Sequence, residues 1–158
     1  MRRALRLSAV VAVAACAPTG SSPDPLLGAW QIVETTITTP DSTWVDADPE
    51  PGLYMFTERH FSNMLIQGGS REPFPASPTP EQRLAAYDPF IADAGSYVRS
   101  DSTLVTSNHI AKVPNVMNSG VTYRYALSGD TLLLTFSGGW APSDGEITYR
   151  LTRLQEPS

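Results

Sequence analysis

The stretch that most constrains the fold is a run of alternating side chains that begins at Gly28. It places Trp30 and Ile32 on one face of an extended chain and smaller or more polar side chains on the other. A period of two is typical of a β-strand that buries one face. We therefore predict a strand over residues 28–38 with Trp30 and Ile32 in the interior. The same alternation predicts that Glu34 also faces the interior.

Short apolar runs separated by turn residues continue along the chain. The sequence contains 14 prolines and 11 glycines, which together with these runs favours an all-β architecture. We predict eight strands, over residues 28–38, 53–57, 61–66, 96–99, 104–110, 121–127, 131–136 and 146–154. Residues 43–45 are expected to extend a hairpin arm. A meander of many short strands tends to close because closure removes exposed edges, so we predict an eight-stranded antiparallel up-and-down barrel.

One short helix is predicted between the third and fourth strands. Thr79 is a suitable N-cap, Pro80 fits the first helical position, and Gln82 completes a capping box. Pro89 should end the helix near Asp88. We expect this helix to pack across one opening of the barrel. Its apolar stripe would consist of Leu84, Tyr87 and Ile91.

The N-terminus has the build of a secretory signal peptide. Arg2, Arg3 and Arg6 precede an apolar run over residues 7–15, which is shorter than the roughly 20 residues that a membrane-spanning helix needs. The run ends in Val-Ala-Ala-Cys, which resembles the lipobox of bacterial lipoproteins. That resemblance implies cleavage before Cys16 and acylation of its thiol. The alternative is an ordinary signal peptide with an incidental cysteine.

These features predict four segments of the chain. They are a lipoprotein signal peptide (1–15), a lipidated cysteine with a flexible tether (16–25), a barrel domain (26–154) and a short C-terminal tail (155–158). We expect the protein to be anchored to the bacterial cell envelope through lipid at Cys16. Because Ala17 rather than aspartate follows the cysteine, the lipoprotein resemblance implies the periplasmic face of the outer membrane if the host has one.

The charge of the chain argues against polyanionic partners. The full sequence has 11 basic and 16 acidic residues, and removal of the predicted signal peptide would leave 8 basic residues and a net charge of −8. Binding to nucleic acid depends largely on basic side chains that contact phosphates. We therefore expect no nucleic-acid partner and no electrostatic docking on anionic lipid.

Several segments together resemble the bacterial lipocalin-like domain, a calycin-type barrel. Residues 28–30 resemble the lipocalin Gly-x-Trp strand, and residues 51–57, 60–64, 89–97 and 129–132 resemble later parts of that family. The resemblance covers about residues 26–154. It implies that Trp30 packs on an arginine at one end of the barrel, and Arg153 on the inner face of the last strand is the candidate for this structural cation–π contact. It supplies no catalytic motif.

Side chains that line the interior of such a barrel are the candidates for a binding site. An eight-stranded barrel is either filled by its own side chains or wide enough for one small ligand. Aromatic lining with a few polar groups suits a small apolar ligand, and it also suits a filled core. The candidates are Glu34, Tyr97, Asn108, His109, Tyr123, Tyr125, Phe136 and Tyr149. Arg124 is a possible partner for Glu34.

Three functions remain open from the sequence. The first is a monomeric barrel that binds a small, mostly apolar molecule, the second is a filled barrel that acts as a structural or interaction module, and the third is a calycin-type cyclase, dehydratase or isomerase. The sequence lacks recognisable nucleophile and phosphate-binding motifs, and His60 and His109 lack zinc-ligand spacing, so we expect no cofactor and no metal. Ligand binding in the lumen and catalysis with Glu34 or His109 as base both require a cavity that reaches Glu34, Asn108 or His109, and both hypotheses fail without one.

Overall fold

The computed structural model describes residues 24–68 and 71–155. The predicted signal peptide, Cys16 and most of the tether lie outside these residues. The described part forms β1 (Gly28–Thr38), β2 (Thr43–Asp46), β3 (Gly52–Phe56), β4 (His60–Ile66), α1 (Pro80–Tyr87), β5 (Phe90–Arg99), β6 (Thr103–Ala111), β7 (Thr122–Ser128), β8 (Thr131–Phe136) and β9 (Glu146–Arg153). A short 3-10 helix, Pro114–Val116, connects β6 to β7.

The strands form a closed antiparallel barrel. β1 pairs with β3, each later strand pairs with the next, and β9 returns to pair with β1. Eight strands therefore close the barrel, as the sequence predicts, and β2 is an additional strand that pairs with the second half of β1. β5 begins at Phe90, six residues before the predicted start, because the Ala-rich segment 90–95 pairs with β4 along its length.

The predicted position of the helix is wrong. α1 follows β4, the fourth strand in chain order, because the hairpin arm expected over residues 43–45 forms a strand, β2, that pairs with the end of β1. The predicted cap is confirmed, since Thr79 and Gln82 form both hydrogen bonds of a capping box. No residue of α1 is buried, and Leu84 is 57% exposed. The helix therefore does not pack across the opening.

The end of the barrel where β1 begins is closed by the predicted tryptophan–arginine contact. Trp30 is fully buried, and the guanidinium of Arg153 lies 4.1 Å from the centroid of its ring. The indole Nε1 donates to the carbonyl oxygen of Leu26 at 2.9 Å, and Leu26 is itself fully buried. Arg153 also donates to the carbonyl oxygen of Leu27 at 2.6 Å and to the Asp130 carboxylate at 3.1 Å. The predicted contact between Trp30 and Arg153 is therefore present at this end of the barrel.

Candidate functional site

The middle of the barrel is filled by aromatic side chains. Tyr54 lies against Tyr123 and Tyr149 with ring centroids 6.5 and 6.2 Å apart, and Phe136 lies 5.4 Å from Tyr123 and 5.6 Å from Tyr149. All four rings are 3% exposed or less. Such edge-to-face and tilted contacts stabilise a core beyond the burial of their area. Together with Trp30, this layer therefore leaves no room for a ligand in the half of the barrel that ends at Trp30.

A cleft of about 530 Å³ opens above this aromatic layer, at the end opposite Trp30. It exists because β1 changes partners along one edge. Residues Gly28–Gln31 of β1 pair with β3, whereas residues Thr35–Thr38 pair with β2. The chain between β2 and β3 therefore stands away from the barrel wall, and the space beneath it is the cleft.

The cleft has an apolar floor and an acidic rim. Ile32, Leu65 and Tyr149 line its base, and Ile37 and Ile147 line its walls. The half-exposed indole of Trp44 on β2 covers one side. The rim contains three carboxylates on one short segment, Asp46, Asp48 and Glu50.

A β-bulge at Val33 decides which side chains of β1 reach the cleft. Ile32 lies opposite Leu151 of β9, but Glu34 lies opposite Arg150, so Val33 has no partner on β9. A bulge inserts one residue and reverses the alternation beyond it. Thr35 and Ile37 consequently face the cleft in place of Glu34 and Thr36.

A sequence model of the lipocalin-like domain family matches residues 27–151. The chain belongs to this family. Two crystal structures are similar to this lipocalin-like domain. One is of a lipocalin-like protein from Bacteroides uniformis ATCC 8492, and the other is of an uncharacterized protein from Bacteroides eggerthii DSM 20697. Both are 12% identical in sequence to this chain. The first has a TM-score of 0.46 and aligns over 83% of this chain and 100% of its own. The second has a TM-score of 0.45 and aligns over 82% of this chain and 99% of its own. No curated protein matched the chain.

The prediction that Glu34 faces the interior of the lipocalin-like domain is wrong, because the bulge turns its side chain to the outer wall. Its carboxylate accepts a hydrogen bond from Arg150 at 2.8 Å, and this hydrogen bond holds the pKa of Glu34 below its usual value. Arg124, the partner suggested by the sequence, instead forms a two-bond ion pair with Glu146 at 2.8 and 2.7 Å. Glu34 is therefore a wall residue.

A second β-bulge lies at His109 in β6, directly after Asn108. Gly95 pairs with Asn108 and Ala94 with Ile110, so His109 has no partner on β5. Asn108 is buried and its amide donates to the carbonyl oxygen of Val116 at 3.2 Å. His109 is exposed, and its Nε2 lies 3.2 Å from Ser96 Oγ on the outer wall. The side chain of His109 therefore does not face the lumen and is not placed to act there as a general base.

Of the predicted lumen residues, only Tyr149 lines the cleft. Tyr123 and Phe136 belong to the filled core below it. Tyr97 lies near the closed end, where its hydroxyl donates to the carbonyl oxygen of Thr57 at 2.7 Å. Tyr125 is half-buried and donates to the carbonyl oxygen of Ser100 at 2.9 Å. The cleft reaches neither Glu34, Asn108 nor His109. The deep lumen site expected around these residues is therefore absent, and the available space lies nearer the mouth.

A group of polar side chains lies one layer below the floor of the cleft. Tyr54, Asn63 and Asp93 are neighbours across β3, β4 and β5 and face inward. Burial raises the pKa of the Asp93 carboxyl, and the adjacent Asn63 amide offsets part of this shift. Burial also raises the pKa of Tyr54 and Tyr123, which keeps their hydroxyls protonated. The Tyr54 hydroxyl and the Asn63 Nδ2 have no partner at hydrogen-bonding geometry.

Sequence reasoning missed most of the residues that line the cleft. The segment 46–51 is predicted as an acidic, Pro-rich loop, and its proximity to β1 has no local sequence signal. Ile37 and Ile147 become neighbours only when β9 closes on β1. Within residues 24–68 and 71–155, no three or more His, Cys, Asp or Glu side chains are grouped so that they could hold a metal ion. No helix in the same part of the chain is long and apolar enough to cross a membrane.

Proposed function

We propose that this lipocalin-like domain binds a small, mostly apolar molecule in the cleft at the mouth of the barrel. The observation that carries this proposal is a cleft of about 530 Å³ with an isoleucine- and leucine-rich base above a filled core. Small-molecule sites typically measure about 300–1,000 Å³ and combine apolar walls with a few polar groups. The filled aromatic layer limits the ligand to the upper part of the barrel.

The base of the cleft favours an apolar body. Ile32 and Leu65 in the base and Ile147 in the adjoining wall are 3–4% exposed, so the scaffold holds them in fixed positions before any ligand arrives. Ile37 and Trp44 leave apolar surface accessible at the walls. Burial of that surface by a ligand would stabilise the complex by about 25 cal/mol per Å². A rigid base lowers the ordering cost that a ligand must overcome.

Fluorescence of Nile red, an uncharged apolar dye, tests the proposal. The test variant is Thr35→Phe, because Thr35 lines the cleft and a phenyl ring there would fill much of it. Thr36→Phe is the matched control, since the neighbouring residue has the same side chain on the outer wall. We expect the unmodified domain and the control to bind the dye with similar affinity and Thr35→Phe to lose at least tenfold.

Trp44 provides a second readout of the same cleft. It is 55% exposed, whereas Trp30 is fully buried at the far end of the barrel. Trp140 also lies near the cleft, because its Nε1 donates to the Tyr149 hydroxyl at 3.2 Å, so the readout uses Trp140→Phe as the background. In that background, dye bound in the cleft should quench Trp44 by energy transfer more strongly than Trp30, and Trp44→Phe should remove most of the quenching. Equal dye binding by Thr35→Phe and Thr36→Phe, with both folded by circular dichroism, would overturn the proposal.

The anchoring predicted from the N-terminus is a separate part of the proposal. Asp24 pairs with Arg99 at the closed end of the barrel, and Leu26 packs beneath Trp30. Eight residues from Cys16 to Asp24 reach at most about 28 Å when fully extended. A lipid at Cys16 would thus hold the closed end near the membrane and leave the mouth open to the aqueous compartment.

Membrane fractionation of cells expressing the full chain tests the anchor. We expect the protein in the membrane fraction and the Cys16→Ser variant in the soluble fraction. Mass spectrometry of the purified protein should show an acylated N-terminal peptide that begins at Cys16. Recovery of both proteins in the soluble fraction would contradict lipidation and leave the binding proposal intact.

A further inference from the structure

We propose that the ligand of the cleft is an amphipathic cation, with an apolar body and an ammonium group. This inference rests on the proposed function, because it assigns a chemical class to the molecule bound at the same site. Two independent features carry it. They are the charge of the cleft lining and the aromatic side chains of Trp44 and Tyr149 in it.

The titratable groups on the cleft rim all carry the same charge. Asp46, Asp48 and Glu50 line the cleft, and no arginine, lysine or histidine does. None of the three forms an ion pair with a basic side chain in the part of the chain that the structure describes. Asp46 Oδ1 accepts one backbone hydrogen bond, from Asp48 at 3.1 Å, so most of the oxygen atoms of the three carboxylates stay available. Clefts lined by one sign of charge concentrate ligands of the opposite sign.

The interior below the floor has the same polarity. Asp93 is 9% exposed and has no basic partner among the described residues. Its neighbours across the sheet, Asn63 and Tyr54, are uncharged. Among these three residues, therefore, no positive charge offsets the acidic rim.

The aromatic side chains at the cleft suit the same class of ligand. Trp44 and Tyr149 both line it, and the faces of these rings attract ammonium groups. Tyr149 is in contact with Tyr54, with ring centroids 6.2 Å apart, so the floor links the cleft to the polar layer. An anionic amphiphile such as a fatty acid would instead meet three unpaired carboxylates at the rim and Asp93 beneath the floor.

Three molecules with one alkyl chain and different head groups test the inference. Decylamine, decanol and decanoate are each titrated against the domain with bound Nile red at pH 7, below their critical micelle concentrations. We expect decylamine to displace the dye at a concentration at least tenfold lower than decanol, and decanoate to be the weakest. The preference for the amine should shrink in 0.5 M salt, because exposed charges are screened.

Paired variants separate the rim charges from the charge of the whole protein. The test variant combines Asp48→Asn with Glu50→Gln at the rim. The control combines Asp101→Asn with Glu58→Gln, which removes one aspartate and one glutamate near the closed end. We expect the rim variant to bring decylamine within about threefold of decanol, without changing decanol itself. The control should keep the preference.

The outcomes distinguish this inference from the proposed function. Displacement by decanol at the same concentration as decylamine, or tighter binding of decanoate, would overturn the cationic class and leave an apolar site in place. A rim variant that keeps the full amine preference would also overturn it. Failure of all three molecules and of Nile red to bind would instead refute the proposed function.

Discussion

Replacement of Arg153 by methionine should weaken the closed end of the barrel. Arg153 is only 23% exposed at its side chain and joins β9 to Trp30, to the segment before β1 and to the β7–β8 turn. Methionine retains an unbranched apolar stem over the indole but has no charge and no donor. The substitution therefore removes the polar contacts and leaves the packing largely in place.

The expected loss follows from these contacts. A partly shielded cation–π contact contributes about 1 kcal/mol. The hydrogen bond from the guanidinium to the carbonyl oxygen of Leu27 contributes about 1.5 kcal/mol because its donor is charged. The ion pair with Asp130, which is 65% exposed, adds about 0.5 kcal/mol. The free energy of unfolding should fall by about 3 kcal/mol, which lowers Tm by about 12 °C in a domain of this size.

Urea denaturation followed by circular dichroism and tryptophan emission measures this loss. Arg124→Met is the matched control, because Arg124 also makes a two-bond ion pair, with Glu146, but lies 64% exposed on the outer wall. We expect the control to change the unfolding midpoint far less. Arg153→Lys should fall between the two, since lysine keeps the charge but not the planar fork. Equal losses for Arg153→Met and Arg124→Met would refute the argument that Arg153 fastens the closed end.

Three further predictions concern charge and close packing. Burial raises the pKa of Asp93, so the folded protein takes up a proton there and its stability should increase as pH falls through the raised pKa. Asp93→Asn should raise stability at pH 7 and flatten this dependence of stability on pH. Urea denaturation at a series of pH values from 4 to 8 measures both effects. The hydrogen bond from Arg150 lowers the pKa of Glu34, so the pair stabilises the fold at neutral pH and loses this effect as pH falls through the lowered pKa. Glu34→Gln should therefore reduce the free energy of unfolding at pH 7 but not near pH 2. The same loss at both pH values would contradict the role of the Glu34–Arg150 pair. Gly95→Ala should lower the free energy of unfolding by more than about 3 kcal/mol, because the new methyl group would overlap backbone atoms of β6. Gly52→Ala should lower it by about 1–2 kcal/mol, because its methyl group would meet side-chain atoms, which can move. Thermal unfolding of both variants compares the two losses.

Local patterns were sufficient to predict the architecture. The alternation at Trp30 and Ile32 correctly gives the buried face at the start of β1, and the spacing of apolar runs gives eight barrel strands. The position of Arg153 on the inner face of the last strand gives its contact with Trp30. These features are predictable because the strands follow a period of two and because the Trp30–Arg153 contact is implied by the resemblance to lipocalins.

The site was not predictable in the same way. The bulge at Val33 inserts one residue into β1 with no glycine or proline beside it that would signal it, whereas the bulge at His109 lies opposite Gly95 of β5. The bulge at Val33 reverses the facing of the residues that follow, which is why Glu34 lies outside. His109 lies outside because it follows the buried Asn108 in the alternation of β6. The cleft depends on where β1 exchanges β3 for β2, and that exchange is set by pairing between distant segments. The exposed α1 shows that a well-formed cap predicts a helix but not its contacts.

The seam between β1 and β9 has a consequence for how the protein is made. Glu34 and Arg150 are partners across this seam although 116 positions separate them in sequence. At about 5–20 residues per second, a ribosome adds the second partner roughly 6–23 seconds after the first. During that interval one edge of the opening strand has nothing to pair with, so the nascent chain cannot shut into its final shape. A barrel with this topology can therefore close only after nearly all of the described chain has been synthesised.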